Sequence, residues 1–215
     1  MPIRILLVDD HALVRDGLRM ILDAVGDMDV VGEACEGREA LAQAEALNPD
    51  VILMDISMPE LNGIEATRVI CERLPAARVI ILTMHHTKEH VFRAMQAGAM
   101  AYLLKESAGD CIVKAIRTVM KGHNYFSEGV EAPTRSVSID PGSIDQSPID
   151  SLSPRELEVI QLVVEGKTSV EIAEILSLSP KSIETYRHRL MVKLGITNIP
   201  SLVKFALLHG ITTVE

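Results

Sequence analysis

Val51-Ile52-Leu53-Met54-Asp55-Ile56-Ser57-Met58-Pro59 is the stretch whose reading decides the fold. Its four leading apolar residues read as a strand buried on both faces, as in a parallel sheet. Asp55 stands where the run ends, and Pro59 with Asn62-Gly63 marks a loop. Chemistry in open α/β sheets collects at the carboxyl ends of the strands. Alone, Asp55 reads equally well as a cap on the next helix. The residues at the ends of the other strands decide between these readings.

Upstream, Ile3 to Val8 is an apolar strand ending in Asp9-Asp10, followed by Leu13, Val14, Leu18, Ile21 and Leu22 at helical spacing. Val30 to Ala34 reads as a strand and Glu39 to Leu47 as a helix. Downstream, a helix over Ile64 to Leu74 is closed by Pro75, and Arg78 to Leu82 forms a fourth strand ending in Thr83. Val91 to Ala97 is helical and stops at Gly98. Ala101 to Leu104 is a fifth strand with Lys105 at its end, and Cys111 to Met120 is a last helix. Five strands alternating with five helices predict a parallel sheet covered on both faces, with right-handed connections and the flavodoxin-like order 2-1-3-4-5.

That order brings the ends of strands 1, 3, 4 and 5 together, so Asp9, Asp10, Asp55, Thr83 and Lys105 face one cleft. Three neighbouring carboxylates repel one another unless a cation sits among them, and oxygen ligands with room for water suit Mg²⁺. A lysine and a hydroxyl beside them suit a phosphoryl group. The arrangement is suited to transfer of a phosphoryl group onto Asp55 with Mg²⁺ neutralising charge.

At this point residues 1–122 resemble the receiver domain of bacterial two-component response regulators. The matching pieces are Leu7-Val8-Asp9-Asp10-His11, Met54-Asp55-Ile56-Ser57-Met58-Pro59, Leu82-Thr83 and Tyr102-Leu103-Leu104-Lys105. The resemblance implies that Asp55 is the phosphoacceptor, and that Asp10, with Asp9 close by, and the main-chain carbonyl of Ser57 help hold Mg²⁺. It implies contacts from Thr83 and Lys105 to the phosphoryl group, and a switching role for Tyr102. One departure is Met84, where receivers commonly have a small residue. Met84, Ser57 and His85 are therefore expected to influence how fast the acyl phosphate is lost. His85, His86 and His90 read as a solvated loop and helix start in preference to a metal site.

The 215 residues leave room for one large or two small domains, and the 47% hydrophobic content suffices for a core. No apolar run reaches the roughly 18 residues of a membrane span, and no signal peptide precedes the first strand. Cys35, Cys71 and Cys111 read as reduced core thiols of a cytoplasmic protein. The net charge of −9 argues against a generally basic nucleic-acid binder, and the absence of Trp with only three Tyr and three Phe argues against an aromatic stacking platform for single strands. The acidity lies in residues 1–125, with 13 basic and 18 acidic residues, and in 126–150, with 1 and 5; residues 151–215 carry 7 of each.

Residues 123–150 read as a linker, because turn formers from Ala132 to Pro148 show no periodicity. Its composition is that of an acidic, mobile segment. Residues 151–215 read as a small all-α domain. Ser153-Pro154-Arg155-Glu156 is a capping box with proline at the first helical position, and Gly166 ends that helix. A second helix starts at Thr168 or Ser169, a third runs from about Lys181 to Leu194, and a fourth carries Leu202 to Leu207. The short helix, tight turn and Ser-Pro start form a helix-turn-helix pattern. On the third helix Lys181, Glu184, Thr185, His188 and Arg189 share a polar face, while Ile183, Tyr186, Leu190 and Leu194 mark the buried side. That suits a recognition helix in the major groove; a solvated amphipathic helix carries the same pattern.

Residues 152–209 also resemble the LuxR-type DNA-binding domain, through Leu152 to Glu156, Glu165-Gly166-Lys167, Glu171-Ile172-Ala173, Leu178 to Arg187 and Lys193 to Ile196. The whole chain resembles the NarL/FixJ class of response regulators. The resemblance implies base contacts from Glu184, Thr185 and His188, and phosphate contacts from Lys181, Arg187, Arg189 and Lys193. Many relatives have Lys in place of Glu184 and His in place of Tyr186, so their operator preference is not transferable. Glu184 is suited to accept from a cytosine amino group. The expected protein is a transcription factor, not a dedicated enzyme, whose duplex binding follows phosphorylation by a sensor histidine kinase. It is expected to bind paired half-sites as a homodimer, away from any membrane. The alternatives are a phosphotransfer relay or sink, a protein that acts through protein or RNA contacts, and a DNA-binding regulator independent of phosphorylation.

Overall fold

Alternation along the strands separates two cores. Leu6, Val8, Ile52, Met54, Val79 and Ile81 face one side of the sheet; Ile5, Leu7, Leu53, Ile80, Leu82 and Leu103 face the other. Each set is buried, as expected for strands covered by helices on both faces. These observations come from a computed structural model that describes residues 1–84, 87–132 and 148–212. The chain divides into two compact units, Met1–Pro133 and Thr134–Glu215.

In the first unit the elements are β1 (Ile3–Val8), α1 (Ala12–Asp23), β2 (Met28–Ala34), α2 (Gly37–Leu47), β3 (Val51–Met54), α3 (Gly63–Arg73), β4 (Arg78–Thr83), α4 (Lys88–Gln96), β5 (Ala101–Leu104), α5 (Ala108–Met120) and β6 (Tyr125–Phe126). The sheet order is β2-β1-β3-β4-β5-β6, and each neighbouring pair is parallel. Helices α2, α3 and α4 pack on the Leu6/Ile52 face, and α1 and α5 on the Ile5/Leu53 face.

The sixth strand is absent from the five-strand expectation. The Tyr125 N–H donates to the Met100 carbonyl and the Ser127 N–H to the Tyr102 carbonyl, both at 3.1 Å. Ser127 Oγ, buried here, accepts from the Leu104 N–H at 3.1 Å. The sheet-bearing unit therefore continues past residue 122, where the sequence reading ended it. Two residues are too few to show a period-2 pattern, so the strand had no sequence signal. Four helices of this unit also start earlier than expected, α2 among them, at Gly37 and not Glu39. Asn62, read as a loop marker, caps α3 by accepting from the Ile64 and Glu65 N–H groups. Thr87 caps α4 at Lys88, and α5 begins at Ala108.

The cysteine reading needs one correction. All three are free, but Cys35 is exposed and Cys71 and Cys111 are only partly buried. Cys35 lies just past β2, where it donates to Glu39, so its apolar neighbours in sequence do not enclose it. No single helix among the described residues is long and apolar enough to cross a membrane.

The second unit holds α6 (Pro154–Val164), α7 (Ser169–Leu176), α8 (Pro180–Leu194) and α9 (Ile199–Leu208). Two reciprocal capping boxes start it: Ser153 with Glu156 on α6, and Thr168 with Glu171 on α7. Ser177 in the left-handed region closes α7, and Ser179 then caps α8 with Pro180 at its first position. Val159, Ile160, Ile172, Ile183, Leu190, Leu202 and Ala206 form the shared core. Most of the expected linker, residues 133–147, lies outside the described residues.

Candidate functional site

Two backbone hydrogen bonds set the floor of the first site. The Asp55 N–H donates to the Val8 carbonyl at 2.8 Å, and the Asp9 N–H to the Ala34 carbonyl at 3.1 Å. Both acids thus leave adjacent strands at the same level, and both are buried at 2% exposure. Lys105, at the end of β5, spans them: its Nζ is 2.9 Å from Asp55 Oδ2 and 2.7 Å from Asp9 Oδ2. Asp55 Oδ1 accepts from the Ile56 N–H at 2.8 Å. Thr83 is buried at the end of β4, between the strands that deliver Asp55 and Lys105. Tyr102 is fully buried on β5, and Ser57 is half-buried in the loop after β3.

The loop after β3 is held against the site by a close approach. A Cβ on Gly63 would meet the Asp55 carbonyl oxygen at 1.8 Å, so only glycine lets the start of α3 sit there. The Gly63 N–H donates to the Ile56 carbonyl at 3.0 Å and closes the loop.

Burial pushes the Asp55 carboxyl up to about 6; Lys105 pulls it down, and Asp9 and Asp10 push it further up. Burial disfavours the Lys105 ammonium, but Asp55 and Asp9 outweigh it and hold the amine above its ordinary value. The Tyr102 phenol is also raised, first by burial and then by Asp55.

Asp9, Asp10, His11 and Asp55 each offer a ligand atom within 4.8 Å of the others. Asp9 Oδ2 and Asp10 Oδ1 are buried oxygens that receive no well-directed hydrogen bond. Their near neighbours are Lys105 Nζ at 2.7 Å and His11 Nδ1 at 2.6 Å. One lysine among three carboxylates leaves negative charge uncompensated, and such an oxygen-rich donor set fits a hard divalent cation. The sequence reading quoted His11 without giving it a role and did not single out Arg15. His11 flanks the cluster, and Arg15 Nη1 donates to the Asp9 carbonyl at 2.6 Å. The i+6 spacing of Arg15 from Asp9, across the start of α1, was the available signal.

On α8 the expected polar face is the exposed one: Lys181, Glu184, Thr185, His188 and Arg189 are exposed, Ile183 and Leu190 fully buried. Two expected phosphate contacts are engaged inside the unit. Lys193 Nζ lies 2.7 Å from the carboxylate of buried Glu156 and donates to the Ser151 carbonyl at 3.2 Å. Arg187 Nη1 donates to Ser169 Oγ at 3.0 Å. Lys181 and Arg189 form no ion pair among the described residues. Of the three residues invoked for acyl-phosphate loss, Met84 is exposed and Ser57 half-buried, whereas His85 lies outside the described residues, as does His86. His90 is buried on α4.

The family model for the response regulator receiver domain matches residues 5–117, and that for bacterial regulatory proteins of the luxR family matches residues 150–206. This chain belongs to the response regulators, as a receiver domain joined to a LuxR-type DNA-binding domain. It is 40% identical to the transcriptional regulatory protein MctR of Rhizobium johnstonii over 211 residues, 98% of this chain and 96% of that one. It is also 40% identical to the response regulator UvrY of Escherichia coli K12 over 213 residues, 99% and 97% of the two chains. A solved structure of two RcsB dimers bound to two parallel DNAs is similar at a TM-score of 0.58 and 27% identity, covering 97% of this chain and 99% of that one.

Proposed function

We propose that phosphorylation of Asp55 controls duplex-DNA binding by α8. The observation that carries this reading is the Lys105 ammonium held between Asp9 and Asp55 at the carboxyl end of the sheet. A sensor histidine kinase presents phosphohistidine. An Asp55 carboxylate oxygen attacks phosphorus, the new O–P bond forms, and the N–P bond to the histidine breaks. Asp9, Asp10, Asp55 and the Ser57 carbonyl would hold Mg²⁺, which supplies neutralisation of charge on the phosphoryl oxygens. Lys105 then leaves its carboxylate partners for the phosphoryl group, Thr83 donates to it, and Tyr102 reports the change along β5.

The same reading makes Lys181 and Arg189 phosphate contacts, with Arg187 and Lys193 adding to them where their internal partners release them. Glu184, Thr185 and His188 contact base edges. One helix covers few bases, so a homodimer on paired half-sites is expected; the DNA-bound RcsB dimers support it. The protein works in the cytoplasm and is not a dedicated enzyme, although it hydrolyses its own acyl phosphate.

The test is duplex-DNA affinity with and without acetyl phosphate and Mg²⁺, on wild type and Asp55→Ala. Phosphorylation should tighten wild-type binding and leave the variant unchanged. Identical binding in every condition would favour a phosphorylation-independent regulator. Phosphoryl uptake without any duplex binding would favour a relay or sink.

A further inference from the structure

Glu184 is a carboxylate on the face of α8 that this reading turns toward DNA, where anionic side chains are out of place beside phosphates. The structure shows what holds it. Ser169, the first residue of α7, donates its hydroxyl to Glu184 Oε1. The same Ser169 oxygen accepts from Arg187 Nη1 at 3.0 Å. The hydroxyl therefore cannot turn away from Glu184 without giving up one of two bonds, and the Arg187 guanidinium polarises it toward the carboxylate. Glu184 Oε2 takes no hydrogen bond among the described residues, and Glu184 is exposed with the rest of the helix face.

A fixed carboxylate oxygen on such a face accepts hydrogen bonds and donates none. In the major groove only cytosine N4 and adenine N6 offer amino hydrogens. Adenine places the N7 acceptor beside its amino group, which repels a carboxylate; cytosine has no acceptor on that edge. Guanine presents two acceptors and thymine one. We propose that Ser169 is a positioning residue that holds Glu184 as a reader of a single cytosine in each half-site. The inference rests on the DNA-binding reading above and adds Ser169 as the residue that fixes the Glu184 carboxylate for that base.

The test is selection from randomised duplexes by the full-length protein in acetyl phosphate and Mg²⁺, followed by affinities for duplexes differing at the selected position. Wild type should prefer C·G at one position per half-site by about 5- to 150-fold, the range of a good base contact. Glu184→Gln should move that preference to A·T, since glutamine pairs with adenine N6 and N7. Ser169→Ala should keep cytosine as the preferred base but narrow the discrimination severalfold, and Ser169→Thr, which retains the hydroxyl, should restore it. Thermal unfolding of each variant separates these effects from loss of fold. Sequence-specific binding with the same base preference in wild type and Glu184→Gln would overturn the inference and leave DNA binding standing. Equal discrimination by wild type and Ser169→Ala would overturn the positioning role. Failure of wild type to bind duplex at all would overturn the underlying reading together with this one.

Discussion

Lys193 on α8 reaches back to Glu156 on α6, its Nζ 2.7 Å from Oε2. Burial pushes the Glu156 carboxyl up, but the Lys193 ammonium and the Ser153 N–H and hydroxyl outweigh it and hold the acid below its ordinary 4.5. Helix α8 is thus fastened to the capping box of another helix.

Lys193→Met should therefore cost stability as well as binding. Removing one partner of a buried pair costs about 3–5 kcal/mol, but Lys193 is 42% exposed and screened, so about 1–2 kcal/mol is expected. Because the folded acid is depressed, the pair stabilises above about pH 4.5 and its contribution is lost as pH falls through the lower folded value. Urea unfolding of wild type and variant at pH 7 and pH 3 measures this. The gap should shrink at the lower pH; a gap independent of pH would show that the charge pair is not its source.

Lys181 and His188 should separate by the kind of affinity they supply. Lys181→Ala should weaken all duplexes alike and reduce the slope of log affinity against log salt by about one. His188→Ala should relax sequence preference with little change in slope. Salt titrations on two unrelated duplexes distinguish these outcomes, and equal losses on both duplexes for both variants would contradict the assignment.

Asp55→Asn should stabilise the metal-free protein. Asp55 ionises near 3.8 when unfolded and at about 6 when folded, so the native state loses stability as pH rises between those values. At about 1.4 kcal/mol per pH unit the loss reaches roughly 3 kcal/mol at neutral pH. Denaturant unfolding in chelator at pH 7.5 should show the variant more stable by about 1–3 kcal/mol. A less stable variant would mean that the Lys105 contact outweighs burial.

Gly63→Ala and Gly17→Ala should act in opposite directions. At Gly63 the added methyl meets the Asp55 carbonyl, and about 3 kcal/mol or more should be lost as the loop is forced off its carboxylate. At Gly17, inside α1, nothing lies within 4 Å, and the gain should be about 0.5–1 kcal/mol. Melting curves of both variants check the pair, and similar shifts of the same sign would refute the close approach.

How much of this was legible depended on range. Val51 to Met54 and Ile80 to Leu82 announced buried parallel strands through unbroken apolar runs, and Ser153 with Glu156 announced a helix start through spacing alone. Asp9, Asp55 and Lys105 were legible because strand order alone brings their ends together. Contacts set by tertiary packing were not. Nothing local tells Lys193 that Glu156 lies opposite it, 37 residues away. Gly63 read as loop punctuation because its real constraint, a carbonyl from eight residues earlier, is visible only in three dimensions. Ser127 fell inside the expected linker, since its partners on β5 are more than twenty residues upstream.

That last contact has a mechanical side. Because Ser127 is sewn to both Tyr102 and Leu104, the chain does not leave the first unit from the free end of α5. It leaves as the outermost ply of the sheet, stitched to the strand that presents Lys105. A pull arriving at residue 132 meets the Lys88–Glu131 ion pair and the packing of Val130 first and those two stitches next, so tension passed that far acts on the short strand that seats the lysine.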